Sequence, residues 1–325
     1  MELVAMNNNN KQIKALLLKP EVGTLLAIVV LSLFLTVTTT SFLTVGNLIF
    51  VARGFSFIAI AAMGVCFVII TGGIDLSIGS VMGLCGVLAA YLSGLGLNPF
   101  LVLFTSLGVG FGIGLLNGAL IAKIGLAPFI VTLGMLSIGR GFVYVITQGW
   151  PLQTFVPSLL FLGQGFFLGL PMPVWIMIII LIIIHMVLKY STFGWYVYSI
   201  GGNEEAARLS GVRVERIKML AYALCGLLAG FSGILLTARL GVGEATAGMQ
   251  YELNVIAAAV IGGVSLSGGK GSAISALFGA ALMGILRNGL VLHGVSAFWQ
   301  QVVIGTVIIL AVLMDKLRIM YFEKN

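Results

Sequence analysis

Apolar residues along the chain gather into long stretches, and polar and charged positions are pushed into the gaps between them. The stretches fall near residues 22–43, 54–71, 76–95, 99–121, 126–147, 170–189, 217–239, 251–265, 272–292 and 297–316. A helix needs about 20 mostly apolar residues to cross the ~30 Å hydrocarbon core of a bilayer, and most of these stretches meet that length. Because a helix pairs its own backbone groups, such a stretch can cross lipid without a polar partner. The pattern predicts an all-α, polytopic membrane helix bundle with about ten transmembrane helices. Two places break the regularity: 251–265 is short for a full span, and only Gly72, Gly73, Ile74 and Asp75 separate the second stretch from the third. Either is a candidate for a broken or re-entrant helix.

A weak internal repeat accompanies the pattern. Residues Gly72-Gly73-Ile74-Asp75-Leu76-Ser77-Ile78-Gly79 read against Gly262-Gly263-Val264-Ser265-Leu266-Ser267-Gly268-Gly269, and an Asn-Gly pair follows each, at Asn117-Gly118 and Asn288-Gly289. Duplicated halves that rock about a central path are a transporter signature. If every stretch spans fully, the matched pieces run parallel; if one is a half-helix, they can be inverted, and both readings stay open.

Composition removes the soluble alternatives. Charged residues make up 8% of the 325 residues, where a soluble domain carries about 25%. Hydrophobic residues reach 60%, with 44 glycines, as expected where small residues let helices approach closely in lipid. The polar segments 1–20 and 189–218 each fall below the ~40 residues that a domain usually needs to fold without staples. No soluble catalytic or nucleotide-binding domain fits between the spans. The net charge of +7 is dispersed between apolar runs and forms no basic face of the kind nucleic acid requires. The expected division is a cytoplasmic N-terminal segment (1–21), a membrane domain (22–316) and a cytoplasmic tail (317–325).

Charge placement gives the orientation. The first apolar run follows Lys11, Lys14 and Lys19 but is long for a signal-peptide core and lacks a small-residue cleavage site, so an uncleaved first helix is expected. With the N-terminus inside, those three lysines share the cytoplasmic side with Lys123, Lys189, Arg208, Arg213, Arg216, Lys218, Lys270, Lys316, Arg318 and Lys324, thirteen of the 17 basic residues. That asymmetry places both termini in the cytoplasm of a multi-pass inner-membrane protein. Arg53 and Arg239 fall near span ends, while Arg140 and Arg287 lie within spans and are structural or functional candidates.

Candidate chemistry is sparse. Cys66, Cys85 and Cys225 sit in apolar runs and read as packing residues, and His185 and His293 are isolated, so no metal site and no catalytic set is expected. The stretch Gly268-Gly269-Lys270-Gly271-Ser272 is not a phosphate loop, since Val264 stands where the first glycine belongs and Gly271 follows the lysine. ATP, if used, is hydrolysed by a separate chain. Asp75, Glu244 and Glu252 lie at span ends, which argues against an ion-coupled carrier with a deep carboxylate. Asp75 reads equally as a helix cap or as a gate.

The segment Ser199–Arg216 carries helix punctuation. Asn203 suits an N-cap, Glu204 and Glu205 oppose the helix dipole, Arg208 pairs with Glu204 at i,i+4, and Gly211 suits the left-handed residue beyond the end. A short cytoplasmic helix of about two turns, roughly 10 Å long, is expected. It is either a docking helix for a cytoplasmic partner or an interfacial helix that joins two spans.

Gly73-Ile74-Asp75-Leu76-Ser77-Ile78-Gly79-Ser80, the Gly201-Gly202-Asn203 loop running to Gly211, and Thr246-Ala247-Gly248 through Tyr251-Glu252-Leu253 to Gly262-Gly263 and Gly268-Gly269-Lys270-Gly271 together resemble the permease subunits of bacterial ABC importers for simple sugars, most closely the ribose-type permeases. The resemblance covers about residues 45–315. It implies a permease that pairs with a second copy or paralogue, a cytoplasmic ABC ATPase holding ATP and Mg, and a periplasmic sugar-binding protein, with no cofactor on this chain. It makes 199–216 the coupling element, through Gly201, Gly202, Asn203, Glu204, Ala207, Arg208, Gly211 and Arg216. Asn254 departs from the family, where an acidic residue is usual after Tyr-Glu-Leu. Path or gate candidates are Asp75, Ser77, Gln250 and Asn254, with Phe129 and Trp299 as constrictions; each reads also as interhelical packing. The expected function is import of a simple sugar, a pentose such as ribose. The alternatives are another sugar or sugar-derived signal, an ion-coupled secondary carrier, and a non-transporting scaffold.

Overall fold

A computed structural model describes residues 20–153 and 156–323. Most of the expected N-terminal segment, with Lys11, Lys14 and Lys19, and also Lys324, lie outside the described residues. The helices are α1 (Pro20–Thr38), α2 (Val45–Ile70), α3 (Ile78–Gly94), α4 (Pro99–Ala122), α5 (Pro128–Thr147), α6 (Pro157–Gln164), α7 (Met172–Tyr190), α8 (Thr192–Gly202), α9 (Glu204–Leu209), α10 (Val214–Leu240), α11 (Tyr251–Gly262), α12 (Ala273–Leu292) and α13 (Ala297–Glu323). Four two-residue strands form two small antiparallel pairs: β1 (Leu152–Gln153) with β4 (Val242–Gly243), and β2 (Phe166–Phe167) with β3 (Leu170–Pro171).

Among the described residues, seven helices are long and apolar enough to cross a membrane, and three shorter apolar ones, Ile78–Gly94, Tyr251–Gly262 and Ala297–Leu310, complete ten. This is the expected all-α polytopic bundle. α2 begins well before the expected residue 54, at Val45 behind the Thr44 cap. Arg53 had hidden that turn, and its guanidinium rests 4.8 Å above the Phe166 ring. α13 runs on to Glu323, so residues 317–323 of the expected tail are helical.

α2 and α10 form the centre. Nearly every side chain from Phe57 to Ile70 is buried, because α2 packs on α7, α10, α11 and α12 together. α10 packs in turn on α2, α3 and α4. Small residues make the closest of these approaches possible. α4 sets Ser106, Gly110, Gly114 and Gly118 four residues apart on one face, and a methyl on Gly114 would lie 2.1 Å from the Tyr222 carbonyl oxygen. Across the same seam, a methyl on Gly226 would lie 2.3 Å from the Gly110 oxygen. Backbones in this contact replace the side-chain burial that lipid does not reward.

The contacts repeat. α10 packs on α3 and α4 as α2 packs on α11 and α12, and α3 packs on α4 and α5 as α11 does on α12 and α13. α2, α3, α4 and α5 therefore correspond to α10, α11, α12 and α13, five crossings apart, and an odd separation makes the halves inverted. Asn117-Gly118 and Asn288-Gly289 fall on the corresponding helices α4 and α12. The glycine stretches 72–79 and 262–269 do not correspond; they meet in space, where a methyl on Gly268 would lie 3.2 Å from the Gly72 nitrogen.

Candidate functional site

The 199–216 segment is more ordered than a capped helix on a loop. Gly201 and Gly202 are the last residues of α8, not a loop before α9. Asn203 caps α9, its Oδ1 accepting from the Ala206 amide at 2.9 Å, and Gly211 adopts φ +85 beyond the end. α9 itself has only six residues. Arg208 pairs with Glu204 at 3.5 Å and also with Glu215 at the start of α10, while Lys218 Nζ reaches Glu204 at 2.5 Å. These exposed pairs each contribute about 0–1 kcal/mol, but together they tie α9 to α10. Ala207 is buried beneath α9, Arg216 is exposed, and Leu209 stands 84% exposed.

Gly201 joins this element to the core. A methyl there would lie 1.7 Å from the Ile70 oxygen and 2.4 Å from the Gly269 nitrogen. The partner turn, 265–271, needs left-handed backbone at Gly268 (φ +83) and Gly269 (φ +71), which glycine adopts at no steric cost. Tyr198 on α8 donates its hydroxyl to the Gly271 oxygen at 2.7 Å. Burial pushes that phenol up to about 12, with the Cys66 thiol and the Glu21 carboxylate adding to the shift, so the donor stays protonated at neutral pH. The sequence held Gly201 and Gly268–Gly271 in view, but nothing in it paired them; Tyr198 carried no signal.

Immediately beyond Ile70 lies the Asp75 cluster. Asp75 is 1% exposed, and its Oδ1 accepts from the Ser77 amide at 2.8 Å and the Ser77 hydroxyl at 2.6 Å. Asn117 Nδ2 donates to Ser77 Oγ at 3.0 Å, while the Tyr222 hydroxyl donates to the Ile74 oxygen at 3.1 Å. Asp75 therefore braces the turn that leads into α3, whose N-cap residue is Ser77 without a side-chain capping bond, and through Ser77 it ties the 71–77 turn to Asn117 on α4. The Asn117 side-chain oxygen is buried without a hydrogen-bond partner.

Gln250 and Asn254 lie at the start of α11, where Gln250 takes a left-handed conformation (φ 64) and its carbonyl accepts from Asn254 Nδ2 at 3.1 Å. The structure does not bring them to the Asp75–Ser77–Asn117 hydrogen-bond set. Phe129, at the first turn of α5, and Trp299, at the first turn of α13, are 56% and 65% exposed on the protomer. Neither packs in its core. Among the described residues, no cluster of His, Cys, Asp and Glu is arranged to hold a metal ion. Cys66, Cys85 and Cys225 are free and buried.

Residues 47–312 match the family described as the permease component of the branched-chain amino acid transport system. The chain is 43% identical over 299 residues to the ribose import permease protein of Escherichia coli K12, covering 91% of this chain and 93% of that one. It is 39% identical over 298 residues to the ribose import permease protein of Bacillus subtilis 168, covering 91% and 92%. It is 34% identical over 296 residues to the L-arabinose ABC transporter permease protein of Azospirillum brasilense, covering 91% and 87%. No solved structure matches the chain.

Proposed function

The chain belongs to the ribose-type family of ABC sugar-importer permeases, and from that membership we propose that it carries a simple sugar, a pentose such as ribose, from a periplasmic binding protein into the cytoplasm. A separate ABC ATPase supplies the energy and holds ATP and Mg; this chain binds neither. A second permease copy or paralogue completes the path. Both termini lie in the cytoplasm, as the thirteen basic residues on that side favour.

The observation that carries the reading is the seat of Gly201 on the end of α2. α9 presents Leu209 and Arg208 to the cytoplasm. α8 transmits any displacement of α9 to Ile70, one short turn from Asp75 and the start of α3. A slack loop would absorb such a displacement, whereas a capped, ion-paired element moves as a body. Asp75 and Ser77 accordingly act at the cytoplasmic gate, and Gln250 and Asn254 act along the path. Phe129 and Trp299, exposed on one protomer, act as constrictions when the second copy is in place.

The relative that transports L-arabinose favours a second reading, another simple sugar as substrate. Co-purification tests the proposal: the tagged chain should retain a P-loop ATPase through detergent extraction. Sugar uptake driven by an ion gradient in vesicles holding this chain alone would overturn it.

A further inference from the structure

α11 has 12 residues, about 18 Å of helix at 1.5 Å per residue, and cannot cross a ~30 Å hydrocarbon core by itself. The chain before it makes up the difference. Gly243 packs on α3 at Val87 and Ala90, and Gly248 packs on α3 at Gly79 and Gly83. From Val87 back to Gly79 is about 12 Å of helix, so residues 243–250 descend into the bundle as unwound backbone. A methyl on Gly248 would lie 2.1 Å from the Gly79 oxygen, and one on Gly79 would lie 2.0 Å from Glu252 Oε2, so the segment is seated without slack.

Arg140, the α5 cation within the membrane, holds this segment. Its Nη1 donates to the Ala245 oxygen at 3.0 Å and to the Ala247 oxygen at 2.8 Å. The other side of the segment is open: Glu244, Thr246 and Gln250 are exposed, as are Ser137 and Tyr144, which share the Arg140 face of α5. Unwound backbone and exposed polar side chains at membrane depth are tolerated only against protein or water, never against lipid.

We infer that residues 244–250 line a water-filled route through the membrane and that Arg140 is the positioning residue that latches this segment against α3. The inference rests on the permease reading for its purpose but not for its test. Cys66, Cys85 and Cys225 are buried, so an introduced thiol reports alone. In the assembled complex, T246C and Q250C are treated with a membrane-impermeant sulfonate thiol reagent and compared with I182C on the exposed apolar face of α7.

Both are expected to react at least tenfold faster than I182C. Adding R140Q should speed T246C labelling severalfold, and R140K, which keeps the charge but not the fork, should fall between. T246C and Q250C thiols as inert as I182C would overturn the water-filled route. Labelling unchanged by both R140Q and R140K, in complexes that elute as the parent does, would overturn the latch. Should R140Q fail to assemble, R140K alone decides the latch. Labelling as expected, with the unsubstituted parent complex taking up no sugar, would sink the permease proposal and leave this inference standing.

Discussion

Replacing Gly201 by alanine adds one methyl group at the joint between the docking helix and the core. That methyl would start 1.7 Å from the Ile70 oxygen, where ordinary contact begins at 3.4 Å, and the nearest atoms are backbone rather than flexible side chain. α8 or the end of α2 must therefore move by about 1.7 Å. Inserting a methyl into such a site typically costs ~1–3 kcal/mol, which is about 5- to 150-fold in an equilibrium. The cost falls on the joint itself, because Gly201 contacts the Ile70 and Gly269 backbones. Sugar-stimulated ATP turnover in the purified complex should fall at least fivefold in G201A, while the amount of permease retained with the ATPase stays near that of the parent. G112A is the control: Gly112, on α4, has no atom within 4 Å of the added position, and an exposed helical Gly→Ala change shifts stability by no more than about 1 kcal/mol. Equal turnover in G201A and G112A would refute the mechanical joint.

R208E reverses a charge that pairs with both Glu204 and Glu215, and should abolish sugar-stimulated turnover while the protein still inserts; stimulation surviving at the parent level removes Arg208 from the dock. N203A deletes the α9 cap, a loss of about 1 kcal/mol, whereas N203S keeps a capping oxygen, so only N203A should weaken ATPase retention by roughly fivefold in a pull-down titration. D75A strands the Ser77 amide and hydroxyl at about 1–3 kcal/mol for each buried unpaired group, while D75N keeps an accepting oxygen. Thermal unfolding in detergent should show D75A well below D75N; coincident midpoints would remove the bracing role of Asp75 in the 71–77 turn.

Much of the architecture follows from apolar run length. α4, α5, α7 and α12 begin and end within about two residues of where the hydrophobic stretches do, because a helix in lipid must be apolar along its whole length and its ends are marked by Asn98, Pro128 and Ser272. Arg53 concealed the start of α2 because its charge is met by an aromatic ring far away in sequence. The 243–250 course was half legible: the short 251–265 stretch signalled a broken helix and Gln250 a path residue, but nothing in the sequence paired the segment with Arg140 of another helix, which holds the Ala245 and Ala247 carbonyls. The α9 cap was legible because capping is local, resting on Asn203 and Ala206. The Gly201 joint was not, since its partners Ile70 and Gly269 lie far off on either side. The repeat was half legible, with the Asn-Gly pairs on corresponding helices and the glycine stretches misassigned because they touch rather than correspond.

The central claim is tested most directly by uptake of labelled ribose into proteoliposomes that hold this chain with its ABC ATPase and a ribose-loaded binding protein. Accumulation should require all three components and ATP on the side that holds the ATPase, and should fall at least fivefold in G201A. Accumulation by this chain alone, driven by a proton or sodium gradient and indifferent to ATP, would contradict it.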